Sequence, residues 1–94
     1  MPSIFKVTYP NGKMYIGSDM TDTIDYFGSP DSKLIAQDFS QEQKLEFSVK
    51  KEILFVHDIM TRDELEKLKN IFIHKYGTNQ PSVGYNKKPK LAAI

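Results

Sequence analysis

The first apolar residues of the chain, Ile4, Phe5, Val7 and Tyr9, are β-branched or aromatic and interleave with Lys6 and Thr8, which is strand composition. A second run of this kind, residues 13–17 (Lys-Met-Tyr-Ile-Gly), follows directly after Pro10-Asn11-Gly12, so residues 4–17 predict a β-hairpin. Proline presets φ for the first position of a type I turn and glycine suits a left-handed bulge position, which favours a three-residue loop over a two-residue Asn-Gly turn. Tyr9 then faces Lys13, Val7 faces Tyr15 and Phe5 faces Gly17. Because strand side chains alternate, that register puts Phe5, Val7, Tyr9 and Tyr15 on one face of the ribbon.

Residues 18–30 are polar and turn-rich and predict a loop, after which Leu34, Ile35 and Phe39 at helical spacing predict a short helix over 31–39. Ser40 with Gln43 is an S-x-x-Q capping pattern opening a second short helical stretch through Phe47. Residues 49–56 end in the continuous apolar run Ile53-Leu54-Phe55-Val56, the pattern of a central third strand buried on both faces. Thr61 with Glu64 is a capping box, starting a helix that runs to Tyr76 and stops at Gly77 as a left-handed cap. At about 100° per residue, Leu65, Leu68, Phe72 and Tyr76 form its buried stripe, and Lys69 falls inside that stripe. An ammonium there must snorkel out, pair with an anion, or lie beside a polar cleft.

The elements predict an α/β fold in the α+β sense: a three-stranded antiparallel sheet flanked by helices. A length of 94 residues allows one hydrophobic core, placed here as a single domain over residues 1–86 with a basic, frayed tail over 87–94. The chain has no cysteine, which excludes disulfides and thiolate zinc sites, and no apolar run long enough for a membrane span. A polar start without a secretory pattern makes the cytoplasm the expected location. His57 and His74 have no ligand spacing to each other or to a carboxylate, so no metal site is predicted from them.

A formal net charge of +1 argues against attachment to nucleic acid by bulk charge, but the charge is unevenly spread. Residues 1–48 carry four lysines against seven acidic residues, and residues 49–94 carry nine basic against five acidic. A polyanion contact is therefore expected from the second half, with Lys87, Lys88 and Lys90, joined by Lys13 of the hairpin, as the DNA-binding set. Arg62 is the only arginine.

In order along the chain, residues 11–18 (N-G-K-M-Y-I-G-S), Tyr26-Phe27-Gly28-Ser29, Lys51-Glu52-Ile53-Leu54 and Gly84-Tyr85-Asn86 resemble segments of the GIY-YIG nuclease superfamily, in particular phage and mobile-element, homing-endonuclease-like members. The resemblance covers roughly residues 3–86. It implies the three-stranded fold above and, in active members, metal-assisted cleavage of DNA phosphodiesters. It also implies site residues, which this chain only partly supplies. The family's first-motif tyrosine falls on Phe5, which has no hydroxyl, while its second-motif tyrosine is Tyr15. The transition-state arginine of the first helix has no counterpart, Lys33 being a point charge without the bidentate fork. The metal-binding glutamate, four residues before Ile73, is replaced by Lys69, and Glu66 is placed about 60° away around the helix, able to reach the cleft only if the helix turned. Asn86 is retained, available to a phosphate oxygen or as a buttress for the hairpin.

The catalytic positions, Tyr15, Phe5, Lys33, Lys69 and Asn86, thus lead to a GIY-YIG-like domain that acts on or binds DNA with a degenerate nuclease centre and no cofactor. Two alternatives stay open. One is an active endonuclease needing Mg²⁺, with displaced residues such as Tyr9 or Tyr15, Lys33 and Glu66. The other is a partner-binding or inhibitory protein of a mobile element built on the same scaffold. Weak, salt-sensitive DNA binding, a possible protein partner and no membrane are the expected associations.

Overall fold

The hairpin takes the register its turn requires. Strands β1 (Ser3–Thr8) and β2 (Met14–Asp19) pair antiparallel with Val7 opposite Tyr15 and Phe5 opposite Gly17. The Tyr9 amide donates to the Lys13 carbonyl at 2.9 Å, the Gly12 amide donates back to the Tyr9 carbonyl at 2.9 Å, and Gly12 takes the positive φ of 86° that the bulge position needs. Phe5, Val7, Tyr9 and Tyr15 accordingly share one apolar cluster. The computed structural model describes residues 1–21 and 23–90; of the tail expected to fray, residues 91–94 lie outside the described residues.

After the loop come helices α1 (Ser32–Asp38) and α2 (Gln41–Leu45), then strand β3 (Lys50–Val56) and helix α3 (Arg62–Tyr76). Among the described residues these form an α+β domain whose sheet has three antiparallel strands in the order β2-β1-β3. Both capping boxes are made: Ser40 with Gln43 at α2, and Thr61 with Glu64 at α3, where Gly77 in the left-handed conformation ends the helix. The third strand is not the central one. The centre belongs to β1, whose two edges are taken by β2 and β3, and the apolar run of β3 lies on an edge with Ile53 48% and Val56 41% exposed. A bulge between Ile4 and Phe5 in the pairing with β3 places Ile4 opposite Phe55 and Phe5 opposite Ile53, so Leu54 is the extra residue. That extra residue lets the neighbours Leu54 and Phe55 both pack toward one cluster, which is why the run does not alternate.

The sheet carries a cluster on each face, because adjacent residues point opposite ways. On one face Phe5, Val7, Tyr9 and Tyr15 meet Phe39 and Tyr85, with Leu34, Ile35 and Val49 around them. On the other, Ile4 and Ile16 meet Leu65 and Ile73 of α3. The apolar side of α3 therefore does not meet the face that carries Phe5 and Tyr15: it is seated against Ile4 and Ile16. Its stripe is also turned. Leu65 and Ile73 are the two buried positions, about 80° apart, while Leu68, Phe72 and Tyr76 are only partly buried. The buried centre is thus shifted toward Ile73, which brings Glu66 to the margin of the buried side.

The outer edge of β2 is covered by the segment after α3. The Met14 amide donates to the Val83 carbonyl at 3.1 Å and the Tyr85 amide to the Met14 carbonyl at 2.9 Å, in a parallel bridge between Met14 and Gly84. Asn79 Nδ2 donates to the Pro89 carbonyl at 2.8 Å, which joins the start of the tail to the segment after α3. No helix among the described residues is long and apolar enough to cross a membrane.

Candidate functional site

Gly17 faces Phe5 across the hairpin, and the absence of a side chain lets the Phe5 ring lie directly on it; a Cβ there would collide with the ring. The ring is fully buried. Tyr26 closes over it edge-on at 5.9 Å, and the Lys51 ammonium stands 4.5 Å from its centroid. Lys51 is the residue that holds the loop in place. It lies opposite Val7 on β3, and its Nζ donates to the carbonyls of Tyr26 at 2.6 Å and Thr23 at 2.9 Å. Phe5 at the first-motif position is consequently a sealed core residue and touches nothing outside.

Tyr15, beside Phe5, packs its ring on Gly28, and its phenol oxygen accepts from the Ser29 amide at 3.0 Å. Burial pushes its pKa up, the Ser29 amide pulls it back, and the nearby Tyr26 and Glu66 push it up further. The phenol is protonated at neutral pH, and its one hydrogen bond is made as an acceptor. Among the described residues no acceptor takes its proton.

The other expected site residues are scattered. Asn86 spends its side chain on β2: Oδ1 accepts from the Ile16 amide at 2.8 Å and Nδ2 donates to the Ile16 carbonyl at 2.8 Å, so it is a buttress of the hairpin. Lys13, expected to touch DNA, pairs with Asp38 at 2.6 Å and stands over the Tyr85 ring. Lys33 is exposed on α1 and bonds to none of these groups. Lys87, Lys88 and Lys90 are exposed along the segment that covers β2. His57 and His74 are exposed, His57 stacking on Phe55.

Lys69 resolves its inward position by pairing. Its Nζ is 3.0 Å from Glu66 Oε2, with the lysine side chain 21% exposed. Glu66 lines a cavity of about 370 Å³ with Ser18, Asp19, Thr21, Tyr26 and Arg62. Glu66 lines this cleft in the helix as it stands, but Phe5, Tyr15 and Lys69 are not part of the lining, so it is a different cleft from the one the resemblance implies. Arg62 and Glu66, four residues apart, stand on one side of α3, so the chain's single arginine faces the cleft too.

Asp19, at the end of β2, is bound internally. Its Oδ1 accepts from the Thr21 amide and hydroxyl, both at 2.9 Å, and its Oδ2 from the Thr23 amide at 2.6 Å. Burial alone would raise its pKa; these donors and the charge of Lys51 outweigh it and hold the carboxyl below its usual value. Asp19 and Arg62 were not among the expected site residues, and Tyr26 and Lys51 were singled out only as parts of resembling segments, without a role. The signal for Arg62 was present as an i, i+4 relation to Glu66, but those for Lys51 and Tyr26 required knowing where the loop folds back.

Among the described residues no group of three or more His, Cys, Asp or Glu is arranged to hold a metal ion. The position that the resemblance assigns to a metal-binding glutamate carries an ammonium already paired with a carboxylate, a donor set that does not fit a divalent ion. Compared with protein-family models, curated proteins and solved structures, the chain gives no match.

Proposed function

We propose that this chain is a GIY-YIG-type domain that binds DNA and whose nuclease centre is degenerate. The observation that carries this reading is the meeting of the resembling segments around one hairpin. Tyr26-Phe27-Gly28-Ser29 folds onto Phe5 and Tyr15, Lys51 fastens that loop, and Asn86 clamps Ile16. Those segments are separated by as many as 70 positions, so their convergence follows from the fold and not from local sequence. In that same place the nucleophile-activating hydroxyl is absent, Phe5 being sealed beneath Lys51 and Tyr26. The metal-ligand position is occupied by the Lys69–Glu66 pair, which is net neutral and offers a divalent ion no net attraction. No catalytic step is assigned.

A second reading, an endonuclease with displaced residues, is favoured by one observation: Glu66 and Arg62 share a cleft with Tyr26. Incubating the chain with supercoiled plasmid in Mg²⁺ or Mn²⁺, beside a duplex-binding titration at low salt, separates the two. Binding without nicking is expected. Nicking that Tyr15→Phe or Glu66→Gln abolishes would establish the second reading, and failure to bind duplex at low salt would end the first.

A further inference from the structure

The cleft between the end of β2, the loop after it and the first turns of α3 has a charge arrangement that the degenerate nuclease centre does not use. Two carboxylates line it, and both are committed inside the protein: Asp19 to the Thr21 and Thr23 donors, Glu66 to Lys69. Lys51, the cation whose charge acts on Asp19, is held by loop carbonyls and stacked over Phe5. Arg62 is left. It is exposed, lines the cleft, and makes no ion pair among the described residues. Of the three charged side chains that line the cleft, Asp19, Glu66 and Arg62, the two carboxylates have partners and Arg62 is the one without a partner among the described residues.

We infer that this cleft is a phosphoryl-anion site, with Arg62 as its principal ligand and the backbone phosphate of DNA as its occupant. A guanidinium presents a planar fork of N–H donors that matches two phosphate oxygens, which an ammonium cannot do. Hydroxyls of Ser18 and Tyr26 line the same cavity and supply neutral donors for the remaining oxygens. A cation is disfavoured there because both carboxylates already have partners. The choice of DNA as the source of the phosphate rests on the function proposed above; the phosphoryl chemistry itself does not.

The test uses the full ¹⁵N-labelled chain and three variants, Arg62→Gln, Arg62→Lys and the triple Lys87→Ala, Lys88→Ala, Lys90→Ala. Each is titrated with a short mixed-sequence DNA duplex at low salt and, separately, with inorganic phosphate. The amide signals of Thr21, Tyr26 and Glu66 should move with both ligands. Arg62→Gln should abolish those movements, weaken duplex binding about tenfold and lower the salt slope by about one phosphate contact. Arg62→Lys should keep the salt slope and lose part of the affinity, an outcome that a merely structural arginine would not produce. Dispersed amide spectra of the variants confirm that they are folded. Duplex binding that moves only residues 87–90 and ignores Arg62→Gln would overturn the inference and leave DNA binding standing. If no duplex binds, the proposed function falls, and inorganic phosphate then decides the cleft. Movements abolished by Arg62→Gln uphold a site for free phosphoryl ligands, and their absence overturns it.

Discussion

Phe5 and Gly17 form one packing unit: the ring occupies the space a side chain at 17 would need. Gly17→Ala should destabilise the fold by about 1–3 kcal/mol, the cost of overpacking, read as a lower denaturant midpoint with an unchanged slope. Thr78 presents the opposite situation. It is fully buried, and its hydroxyl has no hydrogen-bond partner among the described residues. Thr78→Val removes a desolvated polar group at nearly constant shape, so it should raise stability by about 1 kcal/mol where most buried substitutions lower it. A loss of stability in that variant would show that the hydroxyl is satisfied. Lys69 shows how a residue's environment overrides its position on a helix: the periodicity that marked it as inward was right, and its answer is the neighbouring carboxylate of Glu66.

Helices α2 and α3 carry the same capping device with different consequences. In α3 the box orders fifteen residues that bury Leu65 and Ile73 against the sheet; in α2 it orders five with none buried. Thr61→Ala should therefore cost about 1 kcal/mol of global stability, while Ser40→Ala should leave the midpoint unchanged within error and act only on local amide exchange. Equal losses from both would mean that α2 unfolds with the core. The strands repeat this contrast between local and tertiary information. Turn chemistry at Pro10-Asn11-Gly12 chose the hairpin register, and the structure agrees position by position. The apolar run of β3 looked central but is an edge, because a bulge at Leu54 turns two neighbouring residues to one face, and nothing in the run itself announces a bulge.

Beyond single elements, one polar network ties the hairpin turn, α1 and the last segment together. Lys13 and the Tyr85 hydroxyl both reach Asp38 Oδ2, at 2.6 and 2.7 Å, and Asn11 donates to the Tyr85 oxygen at 2.9 Å. The hydrogen bonds from Lys13 and then Tyr85 hold the Asp38 carboxyl below its usual 3.8. The folded state therefore prefers the carboxylate. This contribution is complete above about pH 4 and is lost as the pH falls through the lowered folded value, so Asp38→Asn should flatten the acid limb of the stability profile. Burial, foremost, lifts the phenols of Tyr9 and Tyr85 from 10.0 to about 12. Their contribution is present below pH 10 and is lost as the pH climbs from there toward 12, so chemical denaturation across that range should show falling stability. Strand and helix positions, both capping boxes, the hairpin register and the shared face of Phe5 and Tyr15 were legible in the residues alone, because each depends on contacts within a few positions or on strict periodicity. The order of the strands, the turn of α3 about its axis, the folding of the loop onto Phe5 by Lys51, and the cleft that gathers Arg62, Glu66 and Tyr26 were decided only by tertiary packing. Each depends on which surfaces meet across dozens of residues, and many such meetings satisfy the same local pattern until one core buries them together.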